Sequence, residues 1–202
     1  YSTDIHSESV FPELSNMSST MSTTPIQYVS LRDPLSPEER AHLLSAFHAL
    51  CSRTFPEEEL DLLSDWILML DVSPLEALQE KAICMDVVVA VRPRERKEED
   101  VVGLRPSLEV LGGVTVELYP QSACGLVAYV VVERSARGHG IGSCLLKAGQ
   151  KALDRLCKPA CGGRALQYIL LESHNPRIEL DEPDVMDPST RLSYWRARGF
   201  RV

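Results

Sequence analysis

The 202-residue sequence has no run of 18 apolar residues, the length a helix needs to cross a membrane. It opens without the charged-then-apolar pattern of a secretory signal. Cations are in deficit: 21 Lys and Arg face 29 Asp and Glu, a net charge of −8. That balance argues against a nonspecific nucleic-acid binder, which needs many cationic phosphate contacts. It leaves room for a local basic pocket around one phosphorylated ligand. There is no CxxC pair. Cys157 and Cys161 are the closest of the six cysteines, and no second pair accompanies them to make a zinc site. The expectation is reduced thiols in a cytoplasmic protein that holds no metal. The sequence also lacks an internal repeat and the Gly-Lys-Ser/Thr of a P-loop.

What is present is ordinary for a globular protein: 44% hydrophobic and 25% charged residues. At about 150 residues per domain the length suits one domain and a tail. A chain of this size hides roughly 70% of its surface on folding. Residues 1–24 contain 11 Ser or Thr and no apolar period. That composition cannot offset ordering entropy, so a disordered tail is expected there, with one domain over 25–202.

Ile26–Leu31 is a short strand candidate, broken at Asp33-Pro34. Ser36-Pro37-Glu38-Glu39 opens a helix with a capping box and carries Leu43, Leu44, Phe47 and Leu50 on one side. Pro56 is expected to start a second helix, with Glu57, Glu58 and Glu59 in its first turn and Leu60, Leu63, Ile67 and Leu70 as its core face. Ser73-Pro74-Leu75-Glu76 repeats the capping signature for a third. Val87–Val91, Gly113–Tyr119 and Gly125–Val132 then read as strands, with a charged loop over Arg92–Asp100. Ser143–Cys157 reads as a helix with Leu145, Ala148, Ala152 and Leu156 inward. Leu166–Leu171 is a further strand, Asn175–Asp187 a polar loop, and Ser189–Arg198 a helix that stops at Gly199. The order is that of a mixed α/β domain.

The strongest chemical signal follows Val132. A buried strand ends, Glu133-Arg134-Ser135-Ala136 intervene, and Arg137-Gly138-His139-Gly140-Ile141-Gly142 leads into a helix. Glycines let the backbone approach a ligand closely, and the free N–H groups of a helix start attract anions. With Arg137 beside them, the pattern reads as a diphosphate cradle. A tight turn without a ligand is one alternative. A dinucleotide loop is another, with Glu172 imitating the ribose-binding acid, but its glycines are spaced G-x-G-x-x-G and here they run G-x-G-x-G.

This loop resembles the R/Q-x-x-G-x-G/A loop of the GNAT superfamily of acyl-CoA-dependent N-acyltransferases. The strand ending Val132-Glu133 is similar to that superfamily's fourth strand. Tyr194-Trp195-Arg196-Ala197-Arg198-Gly199-Phe200 resembles its helix that closes on Gly-Phe. The resemblance spans most of the chain after the tail. It implies a central mixed sheet of about five strands flanked by helices, acetyl-CoA as the donor and an amine as the acceptor. The superfamily usually has two more strands after Gly-Phe. The expectation is therefore a fragment or a sheet closed differently, with an open edge that favours association into an oligomer.

The resemblance also implies roles. The backbone of Val130 and Val132 would pair with the pantetheine arm, on a splayed strand. Arg137, Gly138, His139, Gly140, Ile141, Gly142 and Ser143 would hold the pyrophosphate, with His139 itself solvent-exposed. Asn175 is a further candidate for contact with coenzyme A. Lys147, Lys151 and Arg155 either meet the adenosine 3′-phosphate or form a solvated face. Residues 124–132 contain no carboxylate, so Glu117 on the adjacent strand is the first candidate base and Glu172 the second. The superfamily's proton-donating tyrosine falls on Trp195, and Tyr194, one residue off, is the remaining candidate. A covalent cysteine intermediate at Cys124 or Cys144 is an alternative without an evident base. A module that binds acyl-CoA without turnover is the competing functional reading.

Overall fold

The computed structural model describes residues 25–93, 108–173 and 187–201. The chain divides into two compact units, one running from Thr24 to Leu171 and the other including the described residues from Glu172 onward. The expected tail, most of the charged loop and most of the polar loop 175–187 lie outside the described residues.

The first unit is a five-stranded sheet in the order β1 (Gln27–Ser30), β2 (Cys84–Pro93), β3 (Leu108–Tyr119), β4 (Cys124–Val132), β5 (Tyr168–Leu171). Every pair is antiparallel except β4–β5, which is parallel. A single parallel pair does not build a doubly wound sheet, so the dinucleotide reading loses its scaffold among the described residues.

Helix α1 (Pro37–Ser52) starts as the sequence dictates: Ser36 Oγ accepts from the Glu39 amide, and Glu39 answers at the Ser36 amide. Helix α3 (Pro74–Glu80) repeats the device with Ser73 and Glu76. The segment between them departs from expectation. Glu57–Glu59 form only a 3-10 turn, and α2 begins at Leu63 and ends at Asp71. The later start turns Trp66 and Leu70 into the core and leaves Ile67 46% exposed. On a 3.6-residue period Leu63, Trp66 and Leu70 share a stripe, whereas Ile67 sits about 100° beyond Trp66.

The two faces of the sheet carry different cores. Met85, Val87, Val89 and Val91 of β2 pack with Phe47 and Trp66 on the α1–α2 face. The opposite face receives α4 (Ile141–Ala160), whose Leu145, Ala152 and Leu156 are buried as expected, whereas Ala148 is half-buried and lines a groove beside Lys147 and Lys151. Close approach of the layers is set by glycine. A Cβ on Gly113 would meet the Phe47 ring at 2.7 Å, and one on Gly125 would meet Leu153 Cδ1 at 2.4 Å.

In the second unit, α5 spans Pro188–Arg196, with Asp187 as its N-cap and Gly199 at φ +87° just past its end. Trp195 packs edge-on against Tyr194 and Phe200.

Candidate functional site

Strand β4 does not run evenly beside its neighbours. Its register with β3 slips between Thr115 and Val116, so Ala128 has no opposite residue. This β-bulge frees the Tyr129 amide from the backbone ladder, and buried Thr115 accepts it on Oγ1 at 2.9 Å. On the other side, β5 pairs only with Cys124–Val127. From Ala128 to Val132 that edge of β4 has no strand partner among the described residues. The Glu133 amide donates toward β3, to Leu111 O. By strand alternation the backbone groups of Val130 and Val132 therefore point to the unpaired edge. One of them is taken: Arg137 Nε donates to Val132 O at 3.0 Å.

The glycine loop lies at the end of this edge. A 3-10 turn over Arg134–Ala136 is capped by the Glu133 carboxylate, which also pairs with Arg53 at 3.4 Å. The Arg137 amide is spent in that turn, on Arg134 O, so it is not part of an open cradle. Its guanidinium likewise folds back on the strand rather than standing beside the glycines. Gly138 and Gly140 adopt φ +84° and +77°, which side chains resist, and a Cβ at either would meet nothing within 4 Å. Gly140 is the N-cap of α4 and provides no side-chain cap. Among the described residues no acceptor meets the amides of Gly138, His139, Gly140, Ile141 or Gly142. A long helix thus starts with uncapped, outward N–H groups at the positive end of its dipole. Ser143 is buried, and His139 is exposed, as the sequence leads one to expect.

Glu117 is buried, 8% exposed, on the α1–α2 face of β3. Its partner Met85 belongs to the core of that face. Tyr119 Oη donates to Glu117 Oε2 at 3.0 Å. Burial pushes the Glu117 carboxyl above its ordinary value; the Tyr119 bond opposes the shift and nearby Asp61 adds to it. Asp61 stands on the loop before α2. Tyr129 Oη donates to Glu59 O at 2.8 Å and accepts from the Asp61 amide at 3.2 Å, pinning that loop to β4 at the bulge. Phe55 and Trp66 hold the Tyr129 ring. Asp61, Tyr119, Tyr129 and Thr115 escape the sequence reading. The lone tyrosine in CGLVAYVVV and the threonine in an apolar strand are their only local signals.

The remaining candidates fall elsewhere. Glu172 is exposed just past β5, in the second unit. Tyr194 is half-buried there, with the Arg198 guanidinium 3.3 Å from its ring centroid. Asn175 lies outside the described residues. Lys147, Lys151 and Arg155 line a groove of ≈ 660 Å³ with Tyr28 and Ser30 of β1. Arg155 pairs there with Asp33 at 3.3 Å and with buried Asp86 at 3.6 Å. Since β1 is the sheet edge opposite β5, this stripe faces away from the unpaired part of β4. Cys144 is exposed and Cys124 half-buried, and neither is hydrogen-bonded to a basic side chain. No group of metal-binding side chains is found among the described residues.

No family model and no curated protein matches the chain. Solved structures similar to it include an acetyltransferase of Trypanosoma brucei, 16% identical, covering 88% of this chain and 94% of that one at a TM-score of 0.48. A tandem GNAT protein from the clavulanic acid biosynthesis pathway is 18% identical over 86% of this chain and 43% of that one, with a TM-score of 0.47. An aminoglycoside acetyltransferase from an uncultured soil sample, in complex with sisomicin, is 13% identical over 87% and 86%, with a TM-score of 0.46. In its own geometry the chain is a mixed five-stranded sheet flanked by helices, with a bulged β4, a β4 edge half-paired among the described residues and an uncapped start of α4.

Proposed function

We propose that the chain is an acetyl-CoA-dependent N-acetyltransferase acting on a primary amine. One observation carries the reading: the edge of β4 from Ala128 to Val132, without a strand partner among the described residues, leads through the 3-10 turn at Arg134–Ala136 to the uncapped amides of Gly138–Gly142. An extended arm with amide groups suits the first, and a pyrophosphate suits the second. The residues present fit the donor. Val130, the Val132 amide and the loop amides would bind it; Arg137 would shape the loop through Val132 O.

Acetyl-CoA supplies the acetyl group as a thioester. Glu117 takes a proton from the acceptor's ammonium, directly or through one water. The freed amine nitrogen bonds to the acetyl carbonyl carbon and gives up its second proton to solvent, the carbon–sulfur bond breaks, and the thiolate leaves and takes up a proton from solvent. Products are the acetamide and the free thiol. Burial suits Glu117 to this task, because a carboxylate with a raised pKa is a stronger base. No covalent enzyme intermediate is needed. Glu172 and Tyr194 remain secondary proposals for proton transfer.

Calorimetric titration of the purified chain with acetyl-CoA tests the reading. Binding is expected for the parent and is lost in Gly142→Glu, whose carboxylate stands among the phosphate-facing amides. At 100-fold excess over Kd the donor adds about 2.7 kcal/mol to folding stability. A parent chain that neither binds acetyl-CoA nor gains thermal stability from it ends the proposal. Tight binding with no turnover across a broad amine panel would favour a non-catalytic acyl-CoA module, which the absence of a β4 carboxylate and the Trp195 position allow.

A further inference from the structure

The register places two rows of side chains side by side on the α1–α2 face. Tyr119, Cys124 and Tyr168 form one row across β3, β4 and β5. Glu117, Leu126 and Leu170 form the next. Directly opposed residues project to the same face of a sheet. Helices α1 and α2 cover β2 and the middle of the sheet but stop short of this corner. Tyr119 is 37% exposed, Tyr168 69% and Leu170 57%. Among the described residues, Glu117 closes the second row at the β3 end, and Asp61 stands near it on the pinned loop.

We infer that the acceptor is a primary amine carried on a flat apolar body, an arylalkylamine, with its ammonium at Glu117 and Asp61 and its ring over Leu126, Tyr168 and Leu170. The inference rests on the acetyltransferase reading and specifies its acceptor. Charge complementarity fixes the orientation: a cation is drawn to the two carboxylates and gains from the face of Tyr119. The rest of the surface fixes the class. A polyamine needs acids spaced along its length, and both rows beyond Glu117 are uncharged. A ring laid on Leu126, Leu170 and Tyr168 removes apolar surface from water on both partners.

The test measures acetylation by product mass, at saturating acetyl-CoA, for 2-phenylethylamine, spermidine and a short lysine peptide, with donor affinity measured separately by calorimetry. The expected result is a kcat/KM for 2-phenylethylamine at least about tenfold above the others. Tyr168→Ala, at a largely exposed position that tolerates truncation, raises the KM for 2-phenylethylamine several-fold and leaves the acetyl-CoA Kd unchanged. Preference for spermidine or the peptide, or an unchanged KM in Tyr168→Ala, overturns the inference while the transferase stands. Failure of acetyl-CoA itself to bind removes the transferase reading instead.

Discussion

Tyr119 Oη donates its proton to Glu117 Oε2 at 3.0 Å, so the most buried carboxylate on the α1–α2 face of β3 is partly compensated by a half-exposed phenol two residues along the same strand. The bond favours the charged carboxylate, against the burial that disfavours it. Tyr119→Phe therefore raises the Glu117 pKa further. In a pH–rate profile, the acid limb of acetyl transfer should move to higher pH in Tyr119→Phe. Glu117→Gln should abolish that limb and lower kcat by about a hundredfold or more. An acid limb that stays in place in both variants removes Glu117 as the base.

Gly140 holds φ +77° at the N-cap of α4, with open space where a Cβ would go. Gly140→Ala meets no clash, and its cost is backbone strain alone, about 1–2 kcal/mol. Urea denaturation should show that loss, and acetyl-CoA affinity should fall because the loop amides shift. Gly140→Ala with parental stability would mean that the loop relaxes freely out of the left-handed region.

The glycines under the helices should rank by what an added methyl meets. At Gly112 the nearest atom is backbone, Val131 O at 2.5 Å; at Gly125 it is the Leu153 side chain, Cδ1 at 2.4 Å. A leucine end can swing aside and a strand carbonyl cannot. Gly112→Ala should cost more than Gly125→Ala, with overpacking of this kind worth about 1–3 kcal/mol. Denaturant midpoints of the two variants decide the order, and the reverse order refutes it.

Asp86 is buried on β2, held by Ser30 Oγ at 2.8 Å and facing Arg155 and Arg32. Burial raises its pKa above 3.8, and the Ser30 bond and both arginines oppose the rise. A carboxyl raised in the folded state binds its proton more tightly there than in the unfolded chain. Its contribution to stability is complete below about 3.8 and is lost as pH climbs through the folded value. Asp86→Asn should flatten that acid-side slope in urea midpoints taken from pH 4 to 7. A slope unchanged from the parent would place its origin in Glu117 or Asp154, which burial also raises.

Tyr129→Phe removes the hydroxyl that joins Glu59 and Asp61 to β4 while keeping the ring against Phe55 and Trp66. Folding stability should drop by about 1 kcal/mol. KM for the amine should rise more than the acetyl-CoA Kd changes, because the loop borders Glu117 and not the glycine cradle. Equal shifts in both would contradict that division.

Local rules wrote much of this chain into its sequence. Both capping boxes, the αL stop at Gly199, the apolar stripe of α1, that of α4 apart from Ala148, and the glycine loop ahead of α4 depend on residues within four or five positions of one another, and they stand where the sequence puts them. The second helix is misread for the same reason: its true start at Leu63 is set by Trp66 reaching Tyr129 and Phe47, partners far away in sequence. Strand alternation left the direction of Glu117 open, because period two is indifferent to which face is the core. Pairing with Met85 decided it; the slip at Ala128 and the end of β5 at Leu171 likewise decided that β4 beyond Val127 has no strand partner among the described residues on that edge. Register and strand length are properties of pairs of segments, so no single segment can carry them, and the proposed site is made of what those pairs leave unpaired.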